Sequence, residues 1–118
     1  MNRMQFDEYT VALLILRPDA PTLDADAARA LQDAHLNYLA DLHAAGKLVA
    51  AGPLSDDHYR GLTILSVGVE EARALKEADP AVRAGRFSVH VMRWMLPSGA
   101  MHFTPTHFPR STAEAEAR

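Results

Sequence analysis

Apolar residues follow two different periods along this chain, one typical of strands and one typical of helices. Four runs rich in β-branched and aliphatic residues are joined by two helical stretches and one polar loop. The pattern predicts strands over residues 9–17, 47–54, 61–67 and 87–96, helices from Asp24 or Asp26 to about residue 45 and from 70 to 78, and a short helical turn over 81–85. This β-α-β-β-α-β order is typical of the ferredoxin-like α+β fold, a four-stranded antiparallel sheet with both helices on one face.

The predicted strands carry apolar residues at both parities, although two helices cover only one face of the sheet. In the first strand Val11, Leu13 and Ile15 alternate with Leu14 and Leu16. A sheet face of this composition that stays uncovered would be a large apolar patch. The sequence therefore predicts a homodimer in which two sheets pack face to face, and it leaves open whether dimers assemble further.

Length, charge and cysteine content limit the class of protein. The chain has 118 residues and 48% hydrophobic content, which predicts one domain over residues 1–118. Twelve basic residues against 15 acidic ones argue against a nucleic-acid or membrane partner. The longest apolar run, residues 11–16, is far shorter than the roughly 18 residues of a membrane span. We expect a soluble, cytoplasmic protein that uses no cofactor, and because cysteine is absent its chemistry would rest on histidine, carboxylates or hydroxyls.

The C-terminal part of the chain follows a different pattern. The predicted core covers about residues 9–96, and residues 97–110 contain prolines together with Phe103 and Phe108. We expect these residues to form a strap on the partner subunit and residues 111–118 to form a solvated tail. His102 and His107 could bind zinc, but no further ligands accompany them, so no metal site is expected. His43 is expected to be an exposed residue at a helix end.

His35 is the most informative residue of the first predicted helix. It falls within the apolar stripe, one turn from Leu31 and one turn from Leu39. A buried imidazole without a hydrogen bond costs about 1 to 3 kcal/mol, so a carboxylate, a carbonyl or a ligand must meet it. A carboxylate would fix the tautomer and leave the other ring nitrogen free to accept a proton from a substrate. A backbone carbonyl would give His35 a purely structural role.

A series of short motifs lies between the first predicted helix and the last predicted strand. They are Ala34-His35-Leu36, Tyr38-Leu39 with Leu42, Gly46-Lys47-Leu48, Ala51-Gly52-Pro53-Leu54, a loop aspartate, Gly61, Glu70-Glu71-Ala72, and Asp79-Pro80 with Val82 and Gly85. Their order and spacing over about residues 11–94 resemble the YCII-related family. The resemblance implies a dimeric α/β barrel of two ferredoxin-like subunits and an active site in which His35 faces Asp79. One member of that family is a dehydrochlorinase of a chlorinated hydroxyquinol, and related barrels include lactone isomerases.

Four further residues are candidates for binding a substrate. Asp56 follows a Gly-Pro-Leu turn as the loop aspartate of the family does, within a polar loop that could gate a pocket or simply be solvated. Gly52 allows a bulge or the close approach of a ligand, and Pro53 makes the end of the strand rigid. The Tyr38 hydroxyl could lie near His35, although a tyrosine in a helical stripe is usually a core residue.

Two functions from different classes remain open at this stage. The first is an enzyme that isomerises, eliminates from or hydrolyses a small cyclic or carbonyl-bearing compound by acid–base chemistry. The second is a small-ligand-binding or sensory domain in which His35 and Asp79 only hydrogen-bond an effector. RNA binding is rejected because the third strand has Leu62, Ile64 and Val67 where stacking aromatic residues would be needed.

Overall fold

The chain folds around one antiparallel sheet of four strands. A computed structural model describes residues 4–117. The elements are β1 (Phe6–Leu16), α1 (Ala25–Ala44), β2 (Leu48–Pro53), β3 (Tyr59–Leu65), α2 (Val69–Glu77), α3 (Pro80–Arg83), β4 (Phe87–Pro97) and α4 (Thr112–Glu116). The strand order is β2-β3-β1-β4, with every neighbouring pair antiparallel. The predicted α+β class and ferredoxin-like order are therefore confirmed.

β1 is longer than the hydrophobic pattern predicts. It begins at Phe6 rather than Tyr9, and it pairs with β4 continuously from Phe6 opposite Pro97 to Leu16 opposite Phe87. The pattern misses the first residues because Asp7 and Glu8 are polar. The backbone hydrogen bonds of the ladder do not depend on side-chain polarity, so the long partner strand extends β1 beyond its apolar segment.

Helix α1 has defined ends that set which of its residues face the sheet. The Asp24 carboxylate accepts a hydrogen bond of 2.7 Å from the backbone N–H of Ala27, so Asp24 rather than Asp26 is the N-cap. At the other end Gly46 has φ of 77°, a left-handed conformation that favours glycine. Between these ends the helix buries His35 and Leu39 against the rest of the molecule.

The core lies between the sheet and helices α1, α2 and α3. The β1 residues Thr10, Ala12 and Leu14, which point to the helices, are almost fully buried. Residues of the opposite parity, such as Val11, are only half-buried, and Met92, which lies opposite Val11 in the ladder, is exposed. The apolar sheet face that the alternation predicts is therefore present, and no helix of residues 4–117 covers it.

The residues after β4 pack on their own chain. The Phe103 ring meets Tyr9 edge to face, with centroids 5.1 Å apart, and the Phe108 ring stacks on His43 at 4.1 Å. His43 is half-buried rather than exposed, because its Nδ1–H donates to a backbone carbonyl and its Nε2 accepts from the N–H of Thr106. The expectation of an exposed His43 is therefore wrong.

Residues 111–117, for which the sequence predicts a solvated tail, contain the short helix α4. Ser111 caps this helix by accepting from the N–H of Glu114, and the N–H and hydroxyl of Thr112 both donate to the Asp33 carboxylate of α1. The Ser-x-x-Glu sequence is a capping motif that could have indicated the helix. Arg118, also part of the predicted tail, lies outside the described residues.

Candidate active site

His35 and Asp79 are in direct hydrogen-bond contact. The Nδ1 atom of His35 lies 2.8 Å from Oδ2 and 3.0 Å from Oδ1 of Asp79. His35 is 8% exposed and Asp79 is fully buried. Because a carboxylate only accepts here, Nδ1 carries the proton and donates it. The opposite nitrogen, Nε2, therefore has its lone pair free.

The local sequence places Asp79 between two short helical segments. α2 ends at Glu77, and Pro80 occupies the first position of α3, where its missing N–H costs nothing. Oδ1 of Asp79 accepts a 2.9 Å hydrogen bond from the N–H of Ala81. The same carboxylate thus caps α3 and binds the imidazole of α1.

The free nitrogen of His35 faces a cavity. His35 lines a cavity of about 490 Å³ between α1, the sheet and the C-terminal residues. Nε2 makes no hydrogen bond within residues 4–117, yet no fully buried side-chain nitrogen or oxygen of that part of the chain lacks a partner. Nε2 is therefore not fully buried, and the open space that His35 lines is this cavity. Nε2 is placed to accept a proton from a bound molecule.

Lys76 is a third titratable residue at this site, and sequence reasoning missed it. Its side chain is fully buried, with Nζ 3.2 Å from the Thr63 hydroxyl and 3.7 Å from Oδ2 of Asp79. Burial lowers the pKa of Lys76, and the Asp79 carboxylate partly opposes this shift. A lysine in the last turn of a helix is normally exposed to solvent, where the helix dipole favours its charge. The sequence pattern therefore does not indicate that Lys76 is buried.

Two of the four candidate binding residues line the cavity. Gly52 and Pro53, at the end of β2, form part of its wall. Tyr38 does not line it: its hydroxyl donates a 2.6 Å hydrogen bond to the carbonyl of Leu75 in α2. Tyr38 therefore ties α1 to α2, which agrees with the core reading that the sequence left open.

Asp56 also lies away from the cavity. Its Oδ2 accepts hydrogen bonds from the backbone N–H groups of Tyr59 and His58, at 2.8 and 3.0 Å. These bonds lower the pKa of the Asp56 carboxyl. The residue therefore stabilises the turn between β2 and β3, a role that short side chains such as aspartate often take in loops.

The C-terminal residues close one side of the cavity, which the sequence did not predict. Phe108 and Pro109 of the strap and Thr112 of α4 belong to its wall.

Among residues 4–117 no three His, Cys, Asp or Glu side chains are close enough together to hold a metal ion. Within the same residues, no helix combines the length and the hydropathy needed to cross a bilayer.

The chain is a small α+β protein of ferredoxin-like fold with a histidine–carboxylate contact at a cavity. The family model of the YCII-related domain matches residues 11–95, and the chain belongs to that family. A comparison with curated proteins gives no significant match. Among solved structures, the chain is similar to a 5-chloro-2-hydroxyhydroquinone dehydrochlorinase from Burkholderia phenoliruptrix AC1100 in complex with 2,5-dihydroxybenzoquinone. The two are 27% identical, with a TM-score of 0.53 over 73% of this chain and 92% of that one.

Lys76 predicts a pH dependence of stability. Its pKa is lower in the folded chain than its ordinary 10.5, so between the two values the unfolded chain holds more protons and the free energy of unfolding rises with pH. Urea unfolding followed from neutral pH up to about pH 10 should show this rise, at most about 1.4 kcal/mol per pH unit. Lys76→Met should abolish it. Lys47→Met should keep it, because Lys47 is half-buried and paired with Glu71.

Tyr38 sets the highest pH at which the effect of Lys76 on stability can be measured. Burial raises the pKa of Tyr38 above its ordinary 10.0, so above that pH the unfolded chain loses its proton first and stability falls. A rise below about pH 10 that persists in Lys76→Met would contradict the assignment to Lys76.

Proposed function

We propose that this protein is an acid–base enzyme acting on a small cyclic or carbonyl-bearing compound. His35 is the general base and Asp79 orients it. The observation that carries the proposal is the geometry of the imidazole: Nδ1 is 2.8 Å from a fully buried carboxylate, while Nε2 is left to the cavity. A buried carboxylate that fixes a histidine tautomer in this way is the arrangement by which enzymes prepare a base for proton abstraction.

The proposed reaction begins with a proton transfer to Nε2 of His35 from a carbon or hydroxyl of the substrate. The electron pair left behind forms a new double bond. In an elimination that pair expels a leaving group, so the substrate loses one molecule of HX. In an isomerisation the imidazolium returns the proton to another carbon. Asp79 stabilises the imidazolium in both cases, because its charge lies against Nδ1–H.

The similarity to a dehydrochlorinase supports the elimination. That neighbour is named for removing HCl from a chlorinated hydroxyhydroquinone, and its complex holds a dihydroxybenzoquinone. A cavity of about 490 Å³ accommodates a single substituted ring. We therefore propose loss of HX from a substituted ring as the first reaction to test.

The activity prediction uses release of chloride from 5-chloro-2-hydroxyhydroquinone. His35→Ala should lower kcat by about 10²- to 10⁴-fold, because the base is removed. Asp79→Asn should lower kcat with little change in KM, and asparagine is chosen because it can still cap α3. His102→Ala is the matched control, since His102 is exposed and makes no hydrogen bond within residues 4–117, and it should retain full activity.

The unfolding temperature of each variant should be measured with its rate. Loss of the Asp79 cap would cost on the order of 1 kcal/mol, and the two measurements separate that loss from an effect on chemistry. Equal rates in the folded wild type and folded His35→Ala would reject His35 as the base. The binding-domain reading would then stand.

We further propose that the protein is a homodimer formed through the uncovered sheet face. Val11 and Leu13 of β1 and Leu62 of β3 are only half-buried in the single chain, and Met92 of β4 is exposed beside them. Two such faces in contact would bury well over about 1,200 Å², the range of stable interfaces. The dimeric barrel implied by the family resemblance has this packing.

Light scattering should report twice the subunit mass of 12.9 kDa at micromolar concentration. Met92→Lys should convert the dimer to a monomer, because an ammonium would be buried without a partner in the interface. Leu23→Lys is the control, since Leu23 is equally exposed but lies in the loop before α1. A wild-type mass of one subunit would reject the barrel.

A further inference from the structure

Two half-buried arginines line the cavity beside His35. Arg60 comes from β3, and Arg86 directly precedes β4. Within residues 4–117 neither has a carboxylate oxygen within 4.0 Å, and neither guanidinium donates a side-chain hydrogen bond. Their charges are therefore unmatched by the chain around them.

Other half-buried cations of the chain are paired. Lys47 lies 3.0 Å from Glu71, and Arg73 lies 2.9 Å from Glu70. Removing a cation from water is unfavourable unless an opposite charge compensates it, so partly buried cations usually have such partners. Arg60 and Arg86 are the two half-buried cations of residues 4–117 without such a partner, and both line the same cavity. This arrangement indicates that a bound ligand supplies the missing negative charge.

The surroundings of the arginines favour an aromatic or otherwise flat anion. The Arg86 guanidinium carbon lies 5.1 Å from the centre of the Phe87 ring, a cation–π contact that orders the group while leaving its N–H donors free. Apolar side chains such as Leu36 and Leu39 form much of the remaining wall. The one carboxylate in the wall, Glu116, is 3.6 Å from Arg29 and so has its own partner.

We infer that the cavity binds a small organic anion, whose carboxylate or acidic phenolate oxygens are held by Arg60 and Arg86. The ring of this ligand packs on the apolar wall, with its reacting C–H or O–H toward Nε2 of His35. This last placement rests on the proposed function, whereas the anion site itself does not. The positive charge of the cavity contrasts with the net charge of −3 of the whole chain.

Calorimetric titration with benzoate and benzamide tests the anion site. The two probes share a ring and nearly the same shape, but only benzoate is charged. Benzoate should bind more tightly, and Arg60→Gln and Arg86→Gln should each weaken it by about tenfold or more, as expected for a hydrogen bond between charged groups. Benzamide affinity should not change in either variant.

Arg83→Gln is the matched control. Arg83 is exposed on α3, outside the cavity wall, and it has no carboxylate partner within residues 4–117. Benzoate affinity should be unchanged in this variant, and the benzoate preference of the wild type should decrease at high salt. Equal affinity for the two probes would overturn the inference. It would also be overturned by unchanged benzoate affinity in both cavity variants, or by no benzoate binding at millimolar concentration.

The His35→Ala variant separates this inference from the proposed function. Benzoate should still bind to His35→Ala, because the arginines hold the anion, while turnover should be lost. Benzoate binding that depends on the arginines, together with full activity of His35→Ala, would keep the anion site and reject the base. Loss of turnover in His35→Ala, together with equal affinity of the wild type for benzoate and benzamide, would keep the base and reject the anion site.

Discussion

The buried carboxylate of Asp79 is the constraint on which the centre of this molecule depends. A fully buried charge is tolerated only where several groups compensate it, and here three elements do so. His35 of α1 donates from Nδ1, the Ala81 N–H donates at the start of α3, and the Lys76 ammonium of α2 lies 3.7 Å away. One side chain therefore fixes the relative positions of the three helices that cover the sheet.

This arrangement joins stability and chemistry in the same atoms. The Oδ1 atom that caps α3 belongs to the carboxylate that sets the His35 tautomer, so a change at Asp79 acts on both the fold and the proposed base. Lys76 adds a cation that makes no direct contact with the cavity and is held by the Thr63 hydroxyl on β3. The central strand and the helices are thus connected through polar groups as well as through the apolar core. The buried groups on the Nδ1 side therefore hold the imidazole in one orientation, as its proposed role as a base requires.

The C-terminal residues give the cavity its shape. The strap returns from the end of β4 across the molecule to α1, where Phe108 stacks on His43, and α4 is tied to α1 by Asp33. Phe108, Pro109 and Thr112 form one side of the cavity beside His35. The cavity also has the guanidinium groups of Arg60 and Arg86, which have no carboxylate partner within residues 4–117.

The sequence by itself determined the order of elements, a helix cap at Asp24 or Asp26 and the need of His35 for a partner, because these follow from local periodicity and from the cost of burying an imidazole. The structure chose Asp24 as the cap. The family resemblance supplied Asp79. Tertiary structure alone decided that Lys76 is buried and that the loop of Asp56 lies away from the cavity. The physical reason is distance along the chain: helix and strand signals arise within a few residues, whereas Lys76 meets Thr63 and the strap meets α1 only after the strands have paired.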